Sequence, residues 1–279
     1  MNSNAFAVST PASFGWEAAL NLRFANRFNK TLLVQRNHIG PLTVQRPFYP
    51  EGDVCHVYLL HPPGGIVGGD NLTIGINAEI GSHALITTPA AGKFYRSDGL
   101  WASQKVNIDV ADDAAVEWLP QETIIYQGAQ LKSTININLA KSARFIGWEI
   151  LSLGRPASGE GFDYGEVDLN WQIHCEQRPL FLERLRLDAK AFAARWGLQG
   201  FSACGTFFAK TANKHSLAAI QKLVANEPYR GVTLIDDILI CRALDVRSDR
   251  LRTFFERVWA AIRPEVLQRQ SRIPRIWLT

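Results

Sequence analysis

Three segments of the chain, INAEIGSHALITTP, VNIDVADDAAVEWLP and ININLAKSARFIGWEI, can be laid over one another, each reading as a strand, a short polar turn and a second apolar strand. In this overlay Ile80, Val110 and Leu139 take equivalent places, as do Ala84, Ala114 and Ala143, at intervals of 30 and 29 residues. Within the units apolar residues alternate with polar ones. Leu72, Ile74, Ile76, Ala78 and Ile80 share one side, and so do Val106, Ile108 and Val110, then Ile135, Ile137 and Leu139. That period of two is the mark of a half-buried strand. One hairpin cannot bury its own apolar face, so a strand repeat of this length requires neighbours that stack on it. The expected fold is therefore mainly β, with layered sheets stacked in a β-helical manner from strand-turn-strand repeats of about 30 residues. VDLNWQIHCEQRPLFLERL reads as a degenerate fourth copy. A plain sandwich of hairpins is the other architecture that fits.

Two helical elements are expected toward the C-terminus. Residues 216–225 place Leu217, Ile220 and Val224 on one stripe, with Ser216 as N-cap. Residues 249–262 place Leu251, Phe254, Phe255, Val258, Trp259 and Ile262 at helical spacing, and Pro264 is expected to stop the run. That stripe either packs on the β core or docks a partner, with Phe254, Phe255 and Trp259 as its anchors. The domain reading is a flexible lead-in over residues 1–13 and a single β-rich domain over 14–279. With 47% hydrophobic and 20% charged residues among 279, the composition excludes disordered, collagen-like and coiled-coil chains. No stretch reaches the roughly 18 apolar residues of a membrane span, and the first residues have neither a basic start nor an apolar run. A cytoplasmic, soluble protein without membrane contact is expected. The four cysteines, Cys55, Cys175, Cys204 and Cys241, are widely spaced and read as reduced core residues.

The sequence offers several groups that could carry chemistry. HPPGGIVGGD, His61 to Asp70, is a shaped glycine-rich loop, but Asp70 and Asn71 stand where a phosphate loop needs Lys and Ser or Thr. It is either a rigid turn or a polar, metal-contacting site that uses His61 and Asp70. The chain breaks at Thr87–Pro89, Leu119–Gln121 and Gly154–Pro156, and stacking would set these breaks along one edge. Lys93, Tyr95, Arg96, Gln121, Glu122, Arg155, Ser158 and Glu160 would furnish it, as a cleft or a docking face. Three carboxylates, Glu117, Glu149 and Glu183, lie inside otherwise apolar strands. Burying a carboxylate costs several kcal/mol unless it is paired, so they are internal ion pairs or steps of a polar interior path. No recognisable nucleophile, base or zinc motif accompanies them. An acid and base pair of Glu117 and Glu149, as in a carboxylate-dependent hydrolase, is one rival reading. A nucleic-acid binder is another, because residues 242–279 hold nine Arg against four acids while the whole chain carries +4. Its aromatics follow the helical stripe instead of interleaving with the arginines, which argues for no nucleic acid.

HPPGGIVGGD, LITTPAAGKFYRS, EWLPQETIIYQGA, GWEILSLGRPASGE and the terminal PRIW, taken in this order, resemble the urease accessory protein family UreD, also called UreH. The likeness runs from about Trp16 to Thr279, and Gly92 departs from the larger polar residue usual there. The resemblance implies a β-rich, helically stacked fold and a non-enzymatic scaffold that helps load nickel into apo-urease. The implied partners are the urease apoprotein, the helical accessory protein UreF and the nickel-carrying GTPase UreG, to which GTP hydrolysis would belong. No cofactor would be tightly bound. Ni2+ would pass transiently through a polar tunnel, for which His61, Asp70, Glu117, Glu149 and Glu183 are candidate contacts. Lys93, Tyr95, Arg96, Arg155, Glu160, Phe254, Phe255 and Trp259 are candidate partner contacts. The lack of Cys-His clusters suits a conduit, because a tight nickel site would retain the ion.

Overall fold

The computed structural model describes residues 15–278; the expected lead-in over residues 1–13 lies outside the described residues. A long hairpin opens the fold, β1 (Glu17–Arg27) and β2 (Lys30–Ile39), followed by β3 (Thr43–Val44) and β4 (Cys55–Leu60). Three winding courses come next. The first has β5 (Asn71–Ala78), β6 (His83–Thr87) and the short β7 (Gly92–Phe94). The second has β8 (Ala102–Val110), β9 (Ala115–Leu119) and the short β10 (Thr123–Ile125), and the third has β11 (Gln130–Leu139) and β12 (Arg144–Leu153). Then follow β13 (Glu166–Cys175), β14 (Arg178–Leu187), α1 (Ala189–Ala193) and β15 (Ala203–Lys210). The chain closes with α2 (Lys214–Val224), β16 (Arg230–Ile235), β17 (Ile238–Asp245) and α3 (Ser248–Leu267).

Successive courses pair in parallel, β5 with β8, β8 with β11 and β11 with β13 on one side, and β4, β6, β9 and β12 on the other. The result is a β-solenoid of about four turns with a repeat of about 32 residues. Its sides form a seven-stranded sheet, β14-β13-β11-β8-β5-β1-β2, and a ten-stranded sheet that runs β16-β17-β15-β12-β9-β6-β4-β3 with β7 and β10 beside it. Each inner face contributes alternate residues. Ile74, Val106, Ile135 and Trp171 form one transverse row, buried against Val57, Ile86 and Phe208 of the opposite sheet.

The repeat is real, but its first copy is displaced by two residues from the sequence overlay. Ala78, not Ile80, pairs with Val110, which pairs with Leu139. Ile80 is 69% exposed in the turn that follows β5. A shift of two leaves every side chain on the same face, so alternation alone cannot detect it. Likewise Ala84 stands beside Val116, not at the level of Ala114.

The outer face of the ten-stranded sheet carries a second core, covered by α3. Leu251, Phe254, Phe255, Val258, Trp259 and Ile262 all lie in it with Ile146, Trp148, Phe207 and Cys241. Phe255 and Trp259 are fully buried and Phe254 is 4% exposed. The stripe thus packs on its own sheet, and the expected use of Phe254, Phe255 and Trp259 as partner anchors is corrected: the apolar face they offer is already covered. Pro264 does not stop this helix, which runs on to Leu267. The carbonyl freed by the proline belongs to exposed Ala260, where water can satisfy it, while Val266 and Leu267 anchor the last turn in the core. In α2 the cap is Asn213, whose side chain accepts from the backbone N–H groups of His215 and Ser216. Ser216 completes the capping box from inside the helix. Helix α1 had no signal beyond Asp188, which caps it. Among the described residues no helix is long and apolar enough to cross a membrane.

Candidate functional site between the sheets

Strand alternation separates the three carboxylates. On β9, Val116 and Trp118 face the seven-stranded sheet, so Glu117 points the other way, toward α3. There it meets the Nε2 of His83 at 2.8 Å, the Nε1 of Trp259 at 2.7 Å and the guanidinium of Arg263 at 2.9 Å. Arg263, itself fully buried, also reaches Glu51 at 2.8 Å, and Glu51 shares a 2.8 Å hydrogen bond with His56. Burial alone would raise the Glu117 carboxyl, but the His83 hydrogen bond and the Arg263 cation hold it down at about 2. Glu117 is therefore a closed internal ion pair, placed away from the inter-sheet space. It cannot form a hydrolytic pair with Glu149, because the two project from opposite faces of one sheet.

Glu149 on β12 faces the seven-stranded sheet. Its Oε2 accepts a hydrogen bond from the Nε1 of Trp171 at 2.7 Å, and no cation bonds it among the described residues. Burial pushes this carboxyl up to about 7, with the Trp171 hydrogen bond working in the opposite direction. The group is deep in the protein yet only partly enclosed, because two cavities reach it. One, of about 440 Å³, is lined by Glu149, Trp171, Glu183, Cys204 and Arg242. The other, of about 330 Å³, is lined by His61, Lys93, Gln104, Trp118 and Glu149. The buried Nε1 of Trp118 has no protein partner among the described residues, which calls for water in this second cavity.

Glu183 stands on β14 beside Trp171 and is paired with Arg242 at the partly exposed rim of the larger cavity. Burial lowers the His61 imidazole below its usual range, against the raising effect of Asp70, which favours the neutral ring with a free lone pair. Asp70 itself is a clamp for the loop. Its Oδ1 accepts from the N–H of Trp16 at 2.8 Å and its Oδ2 from that of Val67 at 3.0 Å. The structure thus brings His61, Glu149 and Glu183 to two cavities that share Glu149, and sets Asp70 and Glu117 elsewhere. Trp171, Cys204 and Arg242 join them without having been singled out in the sequence. The signal for Arg242 was present, a lone charge in the apolar run ILICRAL.

The chain breaks do align. Gly92 of β7 pairs with Thr123 of β10, which pairs with Leu151 of β12, and Ile66 of the glycine-rich loop bridges to Phe94. Along this edge the rings of Tyr95 and Tyr126 meet edge-on at 4.9 Å, Arg155 lies 4.7 Å over Tyr126, and Glu160 accepts from Arg155. Gly65 is required here, because a Cβ on it would lie 2.0 Å from the Tyr95 ring. Lys93 is half-buried and Arg96 exposed on the same edge. The arginines of the C-terminal stretch are largely matched by acids, as in Arg247–Asp249, Arg252–Glu256, Arg257–Glu227 and Arg269–Asp53, so the basic run is not an open stripe of charge.

A two-sheet β-solenoid with a carboxylate held between its sheets, where two cavities meet, defines the architectural class. The family model described as UreD urease accessory protein matches residues 17–278. The chain is 42% identical over 276 residues to a protein named urease accessory protein UreD from Alkalilimnicola ehrlichii, covering 97% of this chain and 94% of that one. A protein of the same name from Citrobacter koseri is 42% identical over 95% of this chain and 92% of its own length. One from Klebsiella aerogenes is 40% identical over 96% and 99%. The chain belongs to the UreD urease accessory protein family, and it is a non-catalytic accessory protein of urease maturation.

Proposed function

We propose that the protein docks apo-urease and the other accessory proteins and passes Ni2+ toward the urease active site between its two sheets. The observation that carries this reading is Glu149, a carboxylate set between the sheets with a single hydrogen-bond donor and no cationic partner among the described residues, lining both cavities. A carboxylate in that position is costly when empty, and a divalent cation in transit supplies the missing partner. Glu183 stands on the first cavity and His61 on the second, which gives a sequence of oxygen and imidazole donors suited to weak, exchangeable ligation. The edge of Lys93, Tyr95, Arg96, Arg155 and Glu160 is the proposed docking face for the maturation partners, a UreF-type helical protein and through it a UreG-type GTPase. Its Tyr95–Tyr126 edge contact and the Arg155 cation over Tyr126 have the composition of interface anchors.

The test is Glu149→Gln in the assembled maturation complex, reading soluble complex yield together with the nickel content of urease. Unchanged yield with reduced nickel supports the path. Normal nickel loading by a stably assembled variant would overturn it and leave a docking scaffold only.

A further inference from the structure

The cavity between Glu149 and Glu183 holds one thiol. Strand β15 runs antiparallel to β12 with Thr206 opposite Glu149 and Cys204 opposite Leu151. Cys204 is therefore the diagonal neighbour of Glu149 on the same inward face, a separation of roughly 7–8 Å between backbones that a glutamate side chain can span. Cys204 is 6% exposed, is a free cysteine that lines the cavity, and makes no side-chain hydrogen bond among the described residues. The Oε1 of Glu149 is likewise unpartnered, its Oε2 alone being engaged by Trp171. The other thiols are placed differently. Cys55 bonds the hydroxyl of Tyr49, Cys175 bonds the carbonyl of Ala140, and Cys241 packs under α3 on the opposite face. The cations around this cavity are each neutralised, Arg242 by Glu183, Arg184 by Asp168 and Arg230 by Asp245, so they do not oppose a bound cation with free charge.

We propose that Glu149 and Cys204 form a two-donor station for a thiophilic divalent cation, Ni2+ in the first place, with water filling its remaining positions. Thiolate sulfur discriminates against Mg2+ and Ca2+, which prefer oxygen alone, so this station would give the path selectivity that carboxylates lack. Among the described residues no group of three or more His, Cys, Asp or Glu could hold a metal ion, and two protein donors suit an ion that must leave again. On binding, the S–H proton passes to cavity water as the S–Ni bond forms, and no oxidation state changes. The proposal rests on the path reading and adds to it a sulfur donor.

The test titrates the full chain with Ni2+ alone, reading thiolate-to-nickel charge-transfer absorption and the rate at which Cys204 is alkylated by a small neutral reagent. Ni2+ is expected to produce the absorption and to slow alkylation of Cys204 about tenfold, with Mg2+ doing neither. Outer partners of a metal ligand are worth about tenfold or more in affinity, so Glu149→Gln, which weakens a direct donor, is expected to lower Ni2+ affinity by at least that factor. Cys204→Ser and Cys204→Ala should both lose the absorption at unchanged thermal stability, and Cys241→Ser should keep it. No absorption and no protection in the unmutated chain would overturn the station, as would absorption that persists in both Cys204 variants. The two readings fail separately: a refuted station with nickel-poor urease from Glu149→Gln leaves the path intact, whereas normal loading by Glu149→Gln removes the path itself.

Discussion

Two carboxylates on adjacent strands, Glu117 on β9 and Glu149 three residues along β12 from the residue that Glu117 pairs with, behave oppositely because of what faces them. Glu117 has Arg263, His83 and Trp259, and its folded carboxyl lies near 2 against an ordinary 4.5. Its contribution to stability is present above about pH 4.5 and is lost as pH falls toward 2. Glu149 has only an indole N–H, and its carboxyl lies near 7. The folded state then holds a proton that the unfolded state has released, so stability falls as pH rises from 4.5 to 7, by up to about 3 kcal/mol in all. Replacing Glu149 by Gln is expected to abolish that decline, checked by urea midpoints measured across pH 4.5 to 7.5. Arg263→Ala should act in the other direction. It leaves Glu117 and Glu51 buried without their cation, and a loss of about 3–5 kcal/mol is expected in the same denaturation assay. Each of these carboxylates was visible in the sequence as a charge in an apolar strand. What each one does was not, since Arg263 is 146 residues from Glu117 and only the folded sheet decides which face it meets.

Elements show the same division between local pattern and tertiary placement. Alternation located β5, β8 and β11, because a half-buried strand writes its period into the sequence. The register of β5 alone escaped, by two residues, since Ile80 is apolar like the Ala78 whose place it took and lies on the same side. Pro264 misled at α3 for a different reason: the helix is held by nine buried residues spread over its length, which outweigh one missing hydrogen bond. For α2, where Asn213 satisfies two backbone N–H groups, Asn213→Ala is expected to cost about 1 kcal/mol, read from the shift of the denaturation midpoint. The docking role proposed for the edge built by β7 and β10 leads to a different expectation. Tyr95→Ala and Arg155→Ala are expected to weaken pull-down of the urease maturation partners while leaving the melting temperature close to that of the parent. Undiminished assembly by both variants would remove this edge from the docking surface.

At the scale of the molecule, the ten-stranded sheet is a partition. Its outer face, under α3, holds the Glu51–His56–Arg263–Glu117–His83 network, and its inner face looks into the cavities that meet at Glu149. The ion-pair network and the proposed nickel path thereby lie on opposite sides of one layer, with no side chain bonded to both carboxylates among the described residues. Effects at sites with no shared partner and separated by more than about 7–10 Å add to within about 0.5 kcal/mol. Glu117→Gln is therefore expected to lower the denaturation midpoint and the yield of soluble complex, and Glu149→Gln to lower the nickel content of urease at normal yield. The double variant should show the sum: the stability changes of both single variants and, in whatever complex survives, the nickel deficit of the second. Measuring stability, complex yield and nickel per urease in all four proteins decides the matter. A double variant whose stability departs from additivity by more than about 1 kcal/mol, or whose nickel deficit disappears, would mean that the two faces communicate through the sheet.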